Sequence, residues 1–448
     1  MARAHDREIL RLAVPAFLAL AAEPMYLLAD AAIIGHLGTA PLAGLGIAAA
    51  VLQTVVGLCV FLAYGTTASV ARHLGAGDTR AALTQGIDGL WLAVLIGTVA
   101  TALGVVLTGP LVGLFGAGAE VSGHATTYLR IAFLGTTPLL VMLATTGVLR
   151  GLQDTRTPLY VAVGGNAVNV VLNVALVHGA DLGIAGSAWG SVLAQVGSAA
   201  ALTAVVVRAA RREGASLGPD RSGITAAARA GVALVIRTLT LRAALLVTTY
   251  AVTLGATSDG GEAVDLATHQ LALTLWTFLA FVLDSIAIAA QAITGRYLGA
   301  GDVEGTRAVT GRMVRWGWWS GVVTGAALAA ASPVLGPLFT GDASVHERLV
   351  GVLLVAALGQ PVAGVVFVLD GVLIGAGDGR YLAWAGVVVL LVYAPAALVA
   401  VLAGGGLLAV WVAFAAVFMG SRWVVLTRRA RGEAWLVTGP TTAARARP

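Results

Sequence analysis

Twelve apolar stretches, each near the 20 residues that a helix needs to cross a hydrocarbon layer, occupy most of this chain. They fall at 12–34, 46–71, 84–107, 124–148, 158–178, 186–207, 235–257, 268–294, 309–331, 347–373, 381–402 and 406–427. Of 448 residues, 58% are hydrophobic and 11% charged, against about 25% charged in soluble domains. That is too little charge to coat a water-facing surface. Hydrocarbon offers a backbone no hydrogen-bond partner, so the expected class is an all-α polytopic membrane protein of twelve transmembrane helices. The first run continues to Ile34 and reads as a retained span rather than a cleaved signal. The 58 glycines suit close helix approach in lipid, and the one cysteine, Cys59, sits in an apolar run where packing is its role.

Arginine sets the orientation. Arg72 and Arg80, Arg150 and Arg156, Arg208 to Arg221, Arg296 to Arg312, Arg380, and Arg428 to Arg431 follow every second span. The alternate loops hold Glu120, Asp181, Asp259, Glu262, Asp265 and Asp342 instead. The positive-inside bias then puts both termini in the cytoplasm, which an even number of spans requires. The net charge of +5 faces anionic lipid and calls for no nucleic acid.

The chain also repeats. LGAGD at Leu74–Asp78 recurs at Leu298–Asp302, and GVLRGLQD at Gly147–Asp154 recurs as GVLIGAGD at Gly371–Asp378. Both offsets are 224 residues (298 − 74 and 371 − 147). Both motifs follow spans of the same direction, so the repeat is parallel: two pseudo-symmetric six-helix lobes, as an alternating-access transporter would have. The expected boundaries are an N-terminal lobe over 1–213, a cytoplasmic linker over 214–224 and a C-terminal lobe over 225–448.

Polar residues inside spans are costly there and so point to work. Asp30 lies late in the first span, in its outer half, and a carboxyl group so placed suits uptake of a proton. Asn169 and Asn173 in the fifth span are four apart and share a helix face, able to hydrogen-bond Asp30 or, with it, to ligate Na⁺. Asn166 reads as helix-packing glue. The second lobe carries Arg237 and Arg242 in the seventh span and His269, Gln270, Asp284 and Gln291 in the eighth, of which Arg237, Gln270, Asp284 and Gln291 are expected to form a polar cluster. Arg237 is expected to snorkel or to reach Asp284, His269 to sit hydrated near the outer interface, and Asp370 to be interfacial. Pro15 and Pro24 are candidate hinge positions in the first span. Trp276, Phe278 and Phe281 are candidates to line a substrate cleft or to face lipid. The sequence holds no Walker motif, no Cys/His metal spacing and no nucleophile elbow, so neither ATP use nor enzymatic chemistry is expected and no cofactor is implied.

Several strings together resemble the multidrug and toxic compound extrusion (MATE) family. These are PMYLLADAAIIGHLG (Pro24–Gly38), the G-x-G-D loop, LRGLQDTRTP (Leu149–Pro158) and the N-x-x-x-N of the fifth span. The eighth span, from Ala267 to Gln291, is most similar to the DNA-damage-inducible protein F (DinF) branch. The resemblance implies a central cleft and export of amphipathic or cationic drug-like compounds in exchange for inward H⁺ or Na⁺. It makes Asp30 the cation-linked carboxylate and matches Ser191 to a family hydroxyl. Many relatives have Asp where this chain has Asn173, and the missing charge weakens a Na⁺ cage more than a proton site, which favours H⁺.

The expected function is therefore a secondary active efflux antiporter, monomeric in the cell (inner) membrane among lipids. A flippase for a lipid-linked saccharide is the alternative. That role calls for arginines in both lobes to grip a pyrophosphate, and the first lobe has none at mid-membrane.

Overall fold

The computed structural model describes residues 2–255 and 261–440; Asp259 lies outside them. Twelve membrane spans run in order, and among the described residues there is no strand. They are α1 (Ala2–Gly35), α2 (Thr39–Gly75), α3 (Thr79–Gly113), α4 (Ala119–Leu134 with Thr136–Gly151), α5 (Arg156–Gly179) and α6 (Gly183–Arg212). The second half holds α7 (Arg221–Gly255), α8 (Gly261–Gly299), α9 (Val303–Phe339), α10 (Ala343–Gly375), α11 (Gly379–Leu402) and α12 (Gly406–Arg431). Eleven are single helices long and apolar enough to cross a bilayer, and the two segments of α4, bent by 48°, make the twelfth. Pro138 explains the bend: it has no N–H for the Leu134 carbonyl one turn earlier, and its ring crowds that carbonyl. α1 runs through Pro15 and Pro24 as one helix.

Every expected span overlaps one of these helices, but most helices are longer. Hydropathy marks where a helix is greasy, not where it stops. The largest shift is in α7, which starts at Arg221 rather than 235, inside the stretch expected as linker. Asp220 sets that start by accepting hydrogen bonds from the Ser222 and Gly223 amides at 3.2 and 3.1 Å and from the Ser222 hydroxyl. The Ser222 hydroxyl, with these amides, holds the Asp220 carboxyl below the usual carboxylate range.

The two halves are built alike, contact by contact. A methyl group placed on Gly147 of α4 would lie 2.5 Å from the Ala63 carbonyl of α2. One on Gly371 of α10 would lie 2.3 Å from the Ala287 carbonyl of α8. Both members of each pair are 224 apart (371 − 147 and 287 − 63). Gly151 against Thr67 and Gly375 against Gln291 repeat the relation one turn on. Asp78 and Asp302 cap α3 and α9 through the amides of Ala81 and Gly305, at 2.8 and 2.7 Å. Lipid tails are as apolar as leucine, so helices associate by backbone approach and packing, and these glycines allow it. On the outside, Leu95, Val99, Leu103 and Val106 of α3 are each more than half exposed, a stripe that hydrocarbon covers.

The arginine-rich loops gather at one end of the bundle. There Glu8 pairs with Arg296, Asp6 with Arg312, Asp378 with Arg429, and Glu433 with Arg307. Asp265 pairs with Arg348 at the opposite end.

Gly371→Ala should lower the melting temperature of the detergent-solubilised protein, reflecting an overpacking cost of about 1–3 kcal/mol. Gly164→Ala, where the methyl meets nothing within 4 Å, should leave it unchanged or raise it; equal melting points for the two would contradict the packing described.

Candidate functional site

Two polar constellations lie inside the bundle. The first is centred on Asp30, 3% exposed. Three side chains donate to its carboxylate: the Asn173 amide at 2.9 Å, the Tyr128 hydroxyl at 3.3 Å and the Ser187 hydroxyl. Asn173 Nδ2 also reaches Asn169 Oδ1 at 3.1 Å, and Asn169 Nδ2 donates to Ser191 Oγ at 3.2 Å. Tyr26 shares a hydrogen bond with Ser191 at 2.9 Å. Helical spacing builds the set: Tyr26 and Asp30 on α1, Asn169 and Asn173 on α5, and Ser187 and Ser191 on α6 are each four apart and face inward. Asn166 fixes the register by donating to the Ala22 carbonyl at 2.9 Å, the packing role expected of it.

Asp30, Asn169, Asn173 and Ser191 thus come together as the sequence suggested. Ser187, Tyr128 and Tyr26 were missed. Ser187 and Tyr26 each stand one turn from a residue already singled out, a signal that was available; Tyr128 had none. One atom of the set is left over, for Asn173 Oδ1 is buried without a partner. It lies against α6 so closely that a methyl group on Gly190 would meet it at 2.1 Å.

The second constellation is centred on Asp370. Arg237 grips it with two nitrogens, Nε at 3.1 Å, and Arg422 adds a bond at 3.1 Å. The Arg422 guanidinium also sits over Phe418 at 5.7 Å and Phe367 at 6.0 Å, and that of Arg237 over Tyr64 at 5.9 Å. A small cavity of about 10 Å³, room for about one water, adjoins them, lined by Tyr64 of α2 with Arg237, Asp284, Gln291, Phe367 and Asp370.

Four expectations need correction here. Asp370 is buried at 6% exposure, not interfacial. Arg237 is neither snorkelling nor paired with Asp284: because α7 starts at Arg221, it stands 16 residues into its helix (237 − 221), level with Asp370. Asp284 faces the same cavity but forms no ion pair among the described residues. Gln270 is exposed and lies apart from Gln291, which instead donates to the Tyr64 carbonyl at 2.6 Å. His269 is not hydrated but 1% exposed, hydrogen-bonded to Thr249 at 2.9 Å and edge-on to Trp411. Trp276 packs within the second lobe on Phe367 and Phe414, Phe278 is half exposed, and Cys59 is buried as expected.

The bundle thus holds two different buried carboxylates, one bonded by hydroxyl and amide donors and one gripped by two arginines beside a small interlobe cavity. The family model described as MatE matches residues 15–175 and 225–399. The chain belongs to the MatE family. Members of this family are transporters, not enzymes. Protein DETOXIFICATION 44 of Arabidopsis thaliana, described as chloroplastic, is 31% identical over 399 residues, covering 85% of this chain and 74% of the relative. DNA damage-inducible protein F of Escherichia coli is 29% identical over 299 residues, 66% of this MatE chain and 64% of that one. Among solved structures, an outward-facing multidrug resistance MATE transporter superposes with a TM-score of 0.86 at 21% identity, covering 95% of this chain and 96% of that one. This MatE protein therefore shares the two-lobe fold as well as the family sequence.

Asp370→Ala would leave two buried guanidinium groups without their carboxylate and should cost about 3–5 kcal/mol of stability. The triple change Arg237→Leu, Asp370→Leu, Arg422→Leu should recover most of it, read as thermal unfolding in detergent; no recovery would mean the three side chains do not act as one ion cluster.

Proposed function

We propose that this MatE transporter is a multidrug efflux antiporter that expels amphipathic or cationic compounds in exchange for inward-moving H⁺, by alternating access of its two lobes. Family membership and the solved neighbour described as a multidrug resistance transporter support the efflux reading. The observation that carries the coupling is the Asp30 cluster with its spare acceptor. Ionised, Asp30 accepts from Asn173, Ser187 and Tyr128. Protonated, it becomes a donor, and at least one of those bonds must turn round. Rotating the Asn173 amide would bring the orphan Oδ1 to receive that proton, so a second bonding pattern is already provided. The cluster has one carboxylate, too little negative charge for a tight Na⁺ cage.

Positive-inside counting supports both termini in the cytoplasm of the cell membrane. We read lobes of 1–213 and 225–448 joined by a linker at 214–224, acting as a monomer. One charge moving through 100 mV supplies about 2.3 kcal/mol, roughly a 40-fold gradient. The flippase alternative needs arginines free to grip a pyrophosphate, and Arg237 and Arg422 are both engaged by Asp370.

Ethidium efflux from proteoliposomes tests the reading. An imposed pH gradient should drive it in the wild type, and Asp30→Asn should lower the rate at least about tenfold, a change of about 1.4 kcal/mol. Gly190→Ala, which displaces the Asn173 amide without altering a polar group, should fall between them. Efflux driven by Na⁺ alone would overturn the proton assignment, and no gradient-driven efflux of any drug would favour the flippase.

A further inference from the structure

The contact that closes the arginine-rich end of the bundle is a crossing of α2 and α8, one helix from each lobe. A methyl group on Gly75 of α2 would lie 1.9 Å from the Arg296 carbonyl of α8, and one on Gly299 of α8 would lie 2.0 Å from the Arg72 carbonyl of α2. Between them, one on Gly295 would sit 2.9 Å from the Ala71 methyl. Each partner is the other's repeat equivalent, since 299 − 75, 296 − 72 and 295 − 71 all equal 224. The crossing is self-complementary about the axis relating the lobes, and it is made backbone to backbone.

Side chains strap the crossing. Arg72 is 2% exposed and has no carboxylate partner among the described residues. It reaches out of its own lobe to the Ala376 carbonyl at 3.2 Å and to the Val437 carbonyl in the segment after α12. That segment is itself anchored: Trp435 is buried, and the Gly439 amide donates to the Leu298 carbonyl at 3.0 Å. Gln153 crosses to the Ala292 carbonyl at 3.1 Å and Gln291 to the Tyr64 carbonyl at 2.6 Å. Gln153 occupies a left-handed conformation, φ 65°, where its repeat equivalent is Gly377 at φ 74°. The side chain that glycine lacks makes this bond. Toward the other end, no hydrogen bond between the halves lies beyond that of Arg242 to the Gln53 carbonyl, among the described residues.

We propose that this crossing is the inner gate, that it closes only because Gly75 and Gly299 both lack a side chain, and that Arg72 latches it through the C-terminal segment. The proposal rests on the alternating-access reading. Opening toward the arginine-rich side must pull the two backbones apart and release Arg72 from Val437 and Ala376. A carbonyl-bonded arginine suits such a latch, because it unlocks without stranding a buried carboxylate.

Spin labels at Arg80→Cys and Glu304→Cys test this. Both sites are exposed, both lie just past the crossing and they are 224 apart; Cys59→Ser gives the background. The full chain in nanodiscs should show a short, gate-closed distance population. Gly75→Val and Gly299→Val should each lower the closed-to-open ratio by roughly tenfold or more, and Arg72→Gln should lower it several-fold. Gly109→Val, whose methyl meets nothing within 4 Å, should not change it. An unchanged distribution in the glycine variants overturns the gate, and one unchanged in Arg72→Gln overturns the latch. If the valine variants do not fold, the alanine replacements at the same positions decide. The measurement does not depend on efflux, so a protein that transports nothing would sink the antiporter reading while the distances still judge the gate.

Discussion

Hydrocarbon gives helices no reason to associate by hiding apolar surface, so this bundle depends on backbones coming close. The glycines at 147 and 371, 151 and 375, and 75 and 299 set that approach. The first two pairs hold α4 on α2 and α10 on α8 within their lobes; the third joins the lobes. The same device thus makes both the permanent contacts and the one that must break. The difference lies in what surrounds them. Inside a lobe the glycine contacts are backed by long interdigitated faces, as α10 is buried over much of its length between α8 and α9. At the crossing the contact runs from Tyr64 to Gly75 on α2 and from Gln291 to Gly299 on α8, and it is reinforced by side chains bonded to carbonyls.

The buried carboxylates Asp370 and Asp30 are held in two different ways. Asp370 is the satisfied case, a carboxylate held by two guanidinium groups at the level where α7, α10 and α12 meet. Such a cluster fixes helix register, because sliding one helix by a turn would leave a buried charge alone. Asp30 is the adaptable case. Its partners are hydroxyls and an amide, which can turn in place, and one acceptor beside it is unspent.

Much of this was legible in the chain. Hydropathy found all twelve spans, arginine phase found the common end, and the 224-residue offset marked the repeat along which the structure's glycine contacts recur. The Asp30 cluster followed from residues four apart on three helices. The second lobe was misread because hydropathy cannot see how far a helix extends past its greasy centre. With α7 started at 235, Arg237 looked terminal and Asp284 its nearest acid; with Asp220 capping the helix at Arg221, Arg237 moves level with Asp370. Arg422, on the last span, offered no warning, since basic residues near a cytoplasmic end are expected to snorkel. The tail that receives Arg72 was invisible for another reason: a carbonyl acceptor leaves no mark on sequence.

α1 is the element that touches both the Asp30 cluster and the closed end. Glu8 and Asp6 near its start pair with Arg296 and Arg312 of the second lobe. Asp30 lies 22 residues further on (30 − 8), which is about 33 Å along an α-helix and close to the thickness of the hydrocarbon core. A change of charge at Asp30 cannot reach the gate by electrostatics over that distance as readily as by moving the helix that carries it. Asn166 ties the middle of α1 to α5 through the Ala22 carbonyl, so displacement is resisted between Pro15 and Pro24, where each proline has already given up a backbone hydrogen bond. The unbroken path through both prolines is the arrangement in which Asp30 keeps all three of its donors.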